Sequence, residues 1–344
     1  MKIAVYAIAK DEQANVNQFV DTARDADCVI VGVDDGDTTG DLLLAKGATV
    51  HRISGHPFRF DTYRNIVLER IPSDVDVCVS LDLDETLCED WRQIIEASWK
   101  PGTTRLHYHL KSQDGLDERL FYDRIHARQG YEWRHASQEA IYPLYGSEER
   151  VVDCGLVVTN HSELKNGSSK NIGLLTISVN EDIEDPRGWW YLAREQLMIG
   201  NYEAAISSFR TYFILQPKRS IEKCWAAIFT SRCYHSLDML VEKEAWLYAA
   251  IGMCQDSRDG HFEMAMHLTE KKKWGEAMSF IKSALNIDTN VHSFVHSSGA
   301  HTEEIYLQKA YLHTRMGEGM NAVRSYRKAL RINPESEEAR LGLA

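Results

Sequence analysis

Through the first half of the chain, short apolar runs alternate with stretches whose apolar residues recur at three- and four-residue spacing. Residues 2–8, 27–33, 48–53 and 75–81 are rich in Ile, Val and Tyr, and each predicts a strand. Between them, Val16, Phe19, Val20 and Ala23 share one helical face. Residues 42–46 predict a short helix closed by Gly47, and 62–70 and 89–98 predict two more. This alternation predicts an α/β domain with a parallel, doubly wound sheet. Further strands are expected at 104–110, 120–127, 132–143 and 151–160.

From residue 185 the pattern changes to helix pairs. Residues 187–217 place Leu192, Gly200, Tyr202, Ala205, Phe209 and Pro217 at intervals that return in 303–334 as Gly317, Ala322, Tyr326, Ala329 and Pro334. A fainter copy runs through Trp274, Ala277 and Ala284, and 220–254 predicts a degenerate pair. Small residues at fixed positions let neighbouring helices approach, so each pair buries its apolar face on the next. The segment 291–301, with His292, His296 and His301, reads as a polar loop between repeats. The pattern therefore divides the chain into 1–180 and 186–344.

The strand at 75–81 runs into three carboxylates, Asp82, Asp84 and Glu85. In open α/β sheets ligands bind beyond the carboxyl ends of the strands. If the chain stays extended, Asp82 and Asp84 project from one side, and such close like charges favour a cation between them. Oxygen donors suit Mg²⁺ or Mn²⁺. The plainer reading is that these acids cap the following helix.

The segments carry family resemblances. VDDGDTTGD (33–41) resembles the VDDGSTDGT signature of family 2 glycosyltransferases. AIAKDE (7–12), FRFDTYRN (58–65) and LDLDETLCEDW (81–91) resemble, in the same order, that family's first nucleotide-facing loop, its Arg-Asn segment and its metal-binding DxD. The sequence departs from the signature at Asp37 and Thr39. The resemblance implies a GT-A, Rossmann-like nucleotide-sugar domain, and the second half resembles tetratricopeptide (TPR) repeats, an all-α helical repeat domain. It implies a UDP-sugar donor, with Ala7 and Glu12 in the first loop and Asp34 or Asp35 accepting a hydrogen bond from the uracil imide. Arg64 and Lys170 would meet the diphosphate. Asp84, with Asp82 and His161, would hold Mn²⁺ or Mg²⁺. Glu139, or second Asp123, would deprotonate the acceptor for inverting attack.

DLDETL also resembles the first motif of haloacid-dehalogenase-type phosphatases. Three predicted strands precede it here, however, and no Asp-Asp pair follows Glu85. A third alternative is a non-catalytic TPR scaffold with a relict transferase domain. Such repeats bind peptide or protein segments or form homo-oligomers, so a peptide or protein acceptor is the first expectation. A saccharide or a modified nucleobase stays open.

Composition adds bounds. The 344 residues are 44% hydrophobic and 26% charged, with a net charge of −12. That charge counts against a broad grip on nucleic acid or anionic lipid, though not against a local basic groove. No apolar run approaches the roughly 20 residues of a membrane span, and no signal-peptide layout is present. The seven scattered cysteines suit reduced thiols in the cytoplasm.

Overall fold

The computed structural model describes all residues except 56, 113–119, 162–170 and 289–298. The chain divides into two compact units, Met1–Tyr191 and Leu192–Ala344. No helix among the described residues is long and apolar enough to cross a membrane.

The first unit contains β1 (Ile3–Ala9), α1 (Val16–Thr22), β2 (Cys28–Asp34), α2 (Thr39–Ala45), β3 (Thr49–Ile53), α3 (Phe60–Arg70), β4 (Val77–Ser80), β5 (Glu85–Leu87) and α4 (Trp91–Ser98). It continues with β6 (Arg105–Ser112), β7 (Leu120–Ala127), β8 (Tyr131–Arg134), β9 (Ala140–Pro143), β10 (Val151–Asn160) and α5 (Ile172–Glu181). Eight strands form one sheet in the order β3-β2-β1-β4-β7-β6-β10-β5, and β8 and β9 form a separate hairpin.

The sheet is mixed, which corrects the all-parallel expectation. Strands β3, β2, β1 and β4 are parallel. Beyond β4, β7 is antiparallel to both β4 and β6, β10 is parallel to β6, and β5 is antiparallel to β10. Alternation of strand and helix holds only as far as α4. Past it, strands follow one another without a helical crossover, and such connections favour antiparallel pairs.

Strand β1 is buried along its whole length. Its alternate residues serve two cores. Ile3, Val5 and Ala7 join Phe19, Leu43, Leu81 and Trp91 on one face. Ala4, Tyr6 and Ile8 join Tyr63, Val67 and Trp133 on the other. This is the period-two partition of a strand covered on both sides. At Gly32 a Cβ would lie 2.4 Å from Val67 Cγ2, so α3 can close on β2 only over a bare backbone. On the Tyr6 face, a buried polar set is fully matched. His126 Nδ1 lies 2.8 Å from the Ala127 carbonyl, so it carries the proton there. Its Nε2 then accepts from Tyr6 Oη at 2.8 Å, and Tyr6 Oη accepts from Trp133 Nε1 at 2.8 Å. Burial pushes the imidazole down to about 3, keeping it neutral.

The second unit consists of α6 (Pro186–Met198, which begins in the first unit), α7 (Tyr202–Leu215), α8 (Ile221–Ser236), α9 (Leu240–Met253), α10 (Asp259–Glu270), α11 (Trp274–Leu285), α12 (Glu304–Arg315), α13 (Gly319–Ile332) and α14 (Glu337–Leu341). It is a helical repeat, and the turns show it most plainly. Gly200, Asp238, Lys272 and Gly317 each take positive φ between paired helices. After each of them the next N–H bonds back five residues: Asn201 to Gln196, Met239 to Tyr234, Lys273 to Leu268, and Glu318 to His313. These are four copies of one left-handed helix stop. The repeat positions Ala205, Ala277, Ala284 and Ala329 are fully buried. His301 lies in a short 3-10 turn, whereas His292 and His296 fall outside the described residues.

Candidate active site

The strand directions bring the singled-out residues to one edge of the first unit. Parallel β1, β2, β3 and β4 all end there, and so do β6 and β10, while β7 and β5 begin there. The chain leaves β1 toward α1 and β2 on one side, and β4 lies on its other side. The gap between β1 and β4 is thus a switch point, where α/β sheets open a crevice.

Beyond β4 the chain turns instead of staying extended. Glu85 N–H donates to the Asp82 carbonyl at 3.1 Å, and Asp82 N–H donates to Glu85 Oε2 at 3.0 Å. The turn gives the two aspartates different partners. Asp82 Oδ1 pairs with Arg64 Nη2, and its Oδ2 with Arg124 Nη1 at 2.9 Å. Burial opposes ionisation of Asp82, but Arg124 and Arg64 outweigh it and hold the carboxyl below its usual range. The expectation that Asp82 and Asp84 clamp one cation is therefore corrected. A dication on Asp82 would sit against two guanidiniums.

Arg64 also changes role. Its side chain is 1% exposed. Nε donates to Glu139 Oε1 at 2.7 Å and Nη1 to Ser80 Oγ at 2.7 Å, with the guanidinium 4.8 Å over Trp133. It is a buried clamp joining α3, β4 and the β8–β9 connection, with all three nitrogens engaged by protein groups. That connection, 135–139, holds two non-glycine residues at positive φ, His135 and Gln138. Such strain persists only where surroundings fix it. Here Ala136 N–H donates to Ser178 Oγ, its carbonyl accepts from Phe60 N–H, and Glu139 is seated on Arg64.

Asp84 makes no ion pair with a guanidinium among the described residues. Burial, then the charges of Asp82 and Glu12, push it up to about 6. Glu85, 1% exposed, is pushed up to about 7 by burial and then by Asp82. The Asp84 carbonyl accepts from His161 N–H at 2.8 Å, because Asn160 of β10 pairs with Glu85 of β5. His161 Nε2 lies 2.9 Å from Thr86 Oγ1, so Nδ1 is the nitrogen left for another ligand. Among the described residues no group of three His, Cys, Asp or Glu could hold a metal. The Asp84 carboxyl and His161 Nδ1 are donor types that a Mg²⁺ or Mn²⁺ completed by phosphate oxygens and water would accept.

A second cluster lies at the ends of β1 and β2. Asp34 Oδ1 accepts from Tyr63 Oη at 2.7 Å, and Oδ2 pairs with Lys10 Nζ at 2.7 Å. Lys10 Nζ lies 5.3 Å over Phe58, whose ring stands 4.1 Å from that of Tyr63. Asp35 is exposed at the same strand end. Asp37 accepts from Thr39 N–H and Oγ1 at 2.8 Å and from Asp11 N–H at 2.7 Å. Burial opposes its charge, yet the N–H bonds from Thr39 and Asp11 hold it below the usual range. The departure from the family signature at Asp37 and Thr39 thus acts as a strap between two loops. Glu12 joins it, with its N–H 3.1 Å from Thr39 Oγ1.

Three further placements differ from expectation. Ala7 is fully buried inside β1, and the loop begins only at Lys10, so its side chain meets core and not nucleotide. Asp123 pairs with Arg105 at 2.7 Å, whereas its neighbour Arg124 faces Asp82; successive strand residues point oppositely, so Asp123 leaves the acid cluster. Lys170 lies outside the described residues. Sequence reasoning missed Lys10, Tyr63 and Arg124. Lys10 and Tyr63 stood within quoted motifs, but Arg124 carried no local signal.

No protein-family model matches the chain, and no curated protein matches it. Among solved structures, it is similar to a tetratricopeptide protein of Thermus thermophilus, TTC0263, at 22% identity over 49% of this chain and 85% of that one, with a TM-score of 0.37. It is similar to yeast Tom70 at 18% identity over 52% of this chain and 36% of that one, TM-score 0.41. It is also similar to YrrB, described as a tetratricopeptide protein with an unusual peptide-binding site, at 12% identity over 50% and 81%, TM-score 0.37. Likenesses this loose report helical repeats as neighbours and carry no functional argument.

Proposed function

We propose that the first unit transfers a sugar from a UDP-sugar, assisted by a divalent cation, to an acceptor held by the protein, a peptide or protein before a saccharide or nucleobase. The observation that carries this reading is Asp84. It is a partly buried carboxyl at a sheet switch point, without an ion pair among the described residues, beside His161, and one turn from a carboxylate that two arginines neutralise.

The residues divide the work. Asp34 and exposed Asp35, beside Phe58 and Tyr63, supply acceptors and aromatic surface for a uracil ring. Asp84 and His161 would hold the cation, which offsets charge on the departing diphosphate. Arg124, pinned by Asp82, takes over from Arg64 as the cation nearest that group. Glu139 remains the candidate base: Arg64 holds one oxygen, and the other stays available to an acceptor hydroxyl or thiol.

The phosphatase reading needs Asp82 as nucleophile. Both of its oxygens are engaged by guanidiniums, which lowers its nucleophilicity and blocks in-line approach. The scaffold reading draws on the four repeated helix stops and on Glu139 being only 8% exposed. UDP release from a panel of UDP-sugars with Mn²⁺ separates these readings. Turnover of one donor, abolished by chelator and by Asp84→Asn, supports transfer. Phosphate-ester cleavage without UDP release supports the phosphatase, and no turnover of any donor with a peptide mixture present supports the scaffold.

A further inference from the structure

The second unit carries a row of basic side chains that make no ion pair with a carboxylate among the described residues. On α13, Arg324, Arg327, Lys328 and Arg331 recur at i, i+3, i+4 and i+7, so they form one stripe, and all four are exposed. None of them pairs with a carboxylate among the described residues; Lys328 Nζ instead stands 5.4 Å over the Tyr306 ring of α12. The stripe continues onto the neighbouring helices. Lys309 of α12 is partly buried, has no hydrogen-bonding or ionic partner among the described residues, and lies within electrostatic reach of Lys328 and of Lys282 on α11. Its burial and those two charges lower its pKa. Glu318, an acid that feels the charge of Lys282, is engaged by His313 Nδ1 at 2.6 Å and by Asn321 Nδ2 at 3.1 Å.

Holding a partly buried cation near two others costs stability. Function is the usual reason for such an arrangement. The chain as a whole has net charge −12, and from residue 192 onward basic and acidic residues are nearly equal in number. The stripe is therefore a local feature and not the overflow of a basic protein.

We propose that Lys282, Lys309, Lys328 and the arginine row of α13 form a docking face for an acidic polypeptide segment. Size selects this occupant over other polyanions. From Arg324 to Arg331 the helix advances only about 10 Å, whereas tight duplex binding neutralises roughly 6–10 phosphates. Two or three carboxylates of an extended or single-turn segment match the stripe. The arginine forks take carboxylates two-pronged, and the Tyr306 ring beneath Lys328 adds apolar surface for the segment's side chains. The proposal concerns the second unit and stands whether or not the first unit transfers sugar.

The test uses the full-length chain and a fluorescein-labelled peptide of alternating Glu and Asp with single Ala spacers, read by anisotropy. Its Gln/Asn counterpart and a single-stranded oligodeoxynucleotide of equal charge are run beside it. The acidic peptide should bind and weaken with added salt, and Lys309→Gln/Lys328→Gln/Arg331→Gln should lose about tenfold in affinity. Lys218→Gln/Arg219→Gln, an exposed basic pair elsewhere in the unit, should lose nothing. Lys309→Met should melt no lower than wild type, which separates lost docking from lost folding. Absence of binding, equal loss in both variants, or tighter binding of the oligonucleotide would overturn the proposal.

Discussion

Replacing Arg64 by Met tests whether the acid edge is built around a buried clamp. The side chain is 1% exposed and bonds Glu139, Ser80 and Asp82. Removing it leaves Glu139, itself 8% exposed, without its cation. Asp82 keeps Arg124 and is less affected. Stranding one member of a buried ion pair typically costs about 3–5 kcal/mol. For a unit of this size each kcal/mol lowers the melting temperature by about 2–4 °C, so Arg64→Met should melt roughly 6–20 °C lower. Circular dichroism melts of the full chain, paired with urea midpoints, measure this directly. The double variant Arg64→Met/Glu139→Leu should recover part of the loss, because it removes the stranded charge as well. A single variant within about 1 kcal/mol of wild type, or a double variant no better than the single, would refute the clamp. Intact stability with lost UDP affinity would return Arg64 to the diphosphate.

Four further outcomes follow from the same structure. Asp84 carries a raised pKa, so its ionisation penalises the fold: the penalty is absent below about pH 4, grows as pH rises through about 6, and persists above. Asp84→Asn should accordingly gain on wild type as pH rises from about 4 to about 6 and stay ahead at pH 8, by on the order of 1 kcal/mol once solvent screening is discounted; a variant less stable at pH 8 would contradict the burial argument. Tyr63→Phe removes the hydroxyl that donates to Asp34 and should cost about 1 kcal/mol while weakening UDP binding in calorimetry. Tyr6→Phe leaves His126 Nε2 and Trp133 Nε1 unmatched and should cost about 1–3 kcal/mol, visible in the urea midpoint. Lys272→Gly and Asp238→Gly place glycine at positive φ and should each raise stability by up to about 1 kcal/mol, with the gain seen as a higher melting temperature.

Legibility in the sequence followed the range of the interactions. Strands β7 and β10 lie where their apolar runs predict, since periodicity is local. The repeats were readable through Gly200 and Gly317, whereas the stops at Asp238 and Lys272 use the same backbone geometry without its usual residue. Helix α5 escaped because its run begins straight after a Gly/Ser-rich stretch that reads as a linker. The expected strand over 132–143 is a hairpin, broken at His135 and Gln138 by positive φ that neither residue type advertises. Within the site, the acids at 82–85 were visible, but their division of labour was not. Arg64 and Arg124 reach Asp82 across 18 and 42 residues of chain, and only the folded sheet shows that one aspartate is neutralised and the other is not.

The most direct measurement of the central claim is a calorimetric titration of UDP with Mn²⁺ into wild type and Asp84→Asn, each confirmed folded by its melt. The account predicts saturable binding to wild type, lost on adding chelator and lost in the variant. Wild-type protein that takes up no UDP, or Asp84→Asn that binds it as tightly and as metal-dependently, would contradict the account.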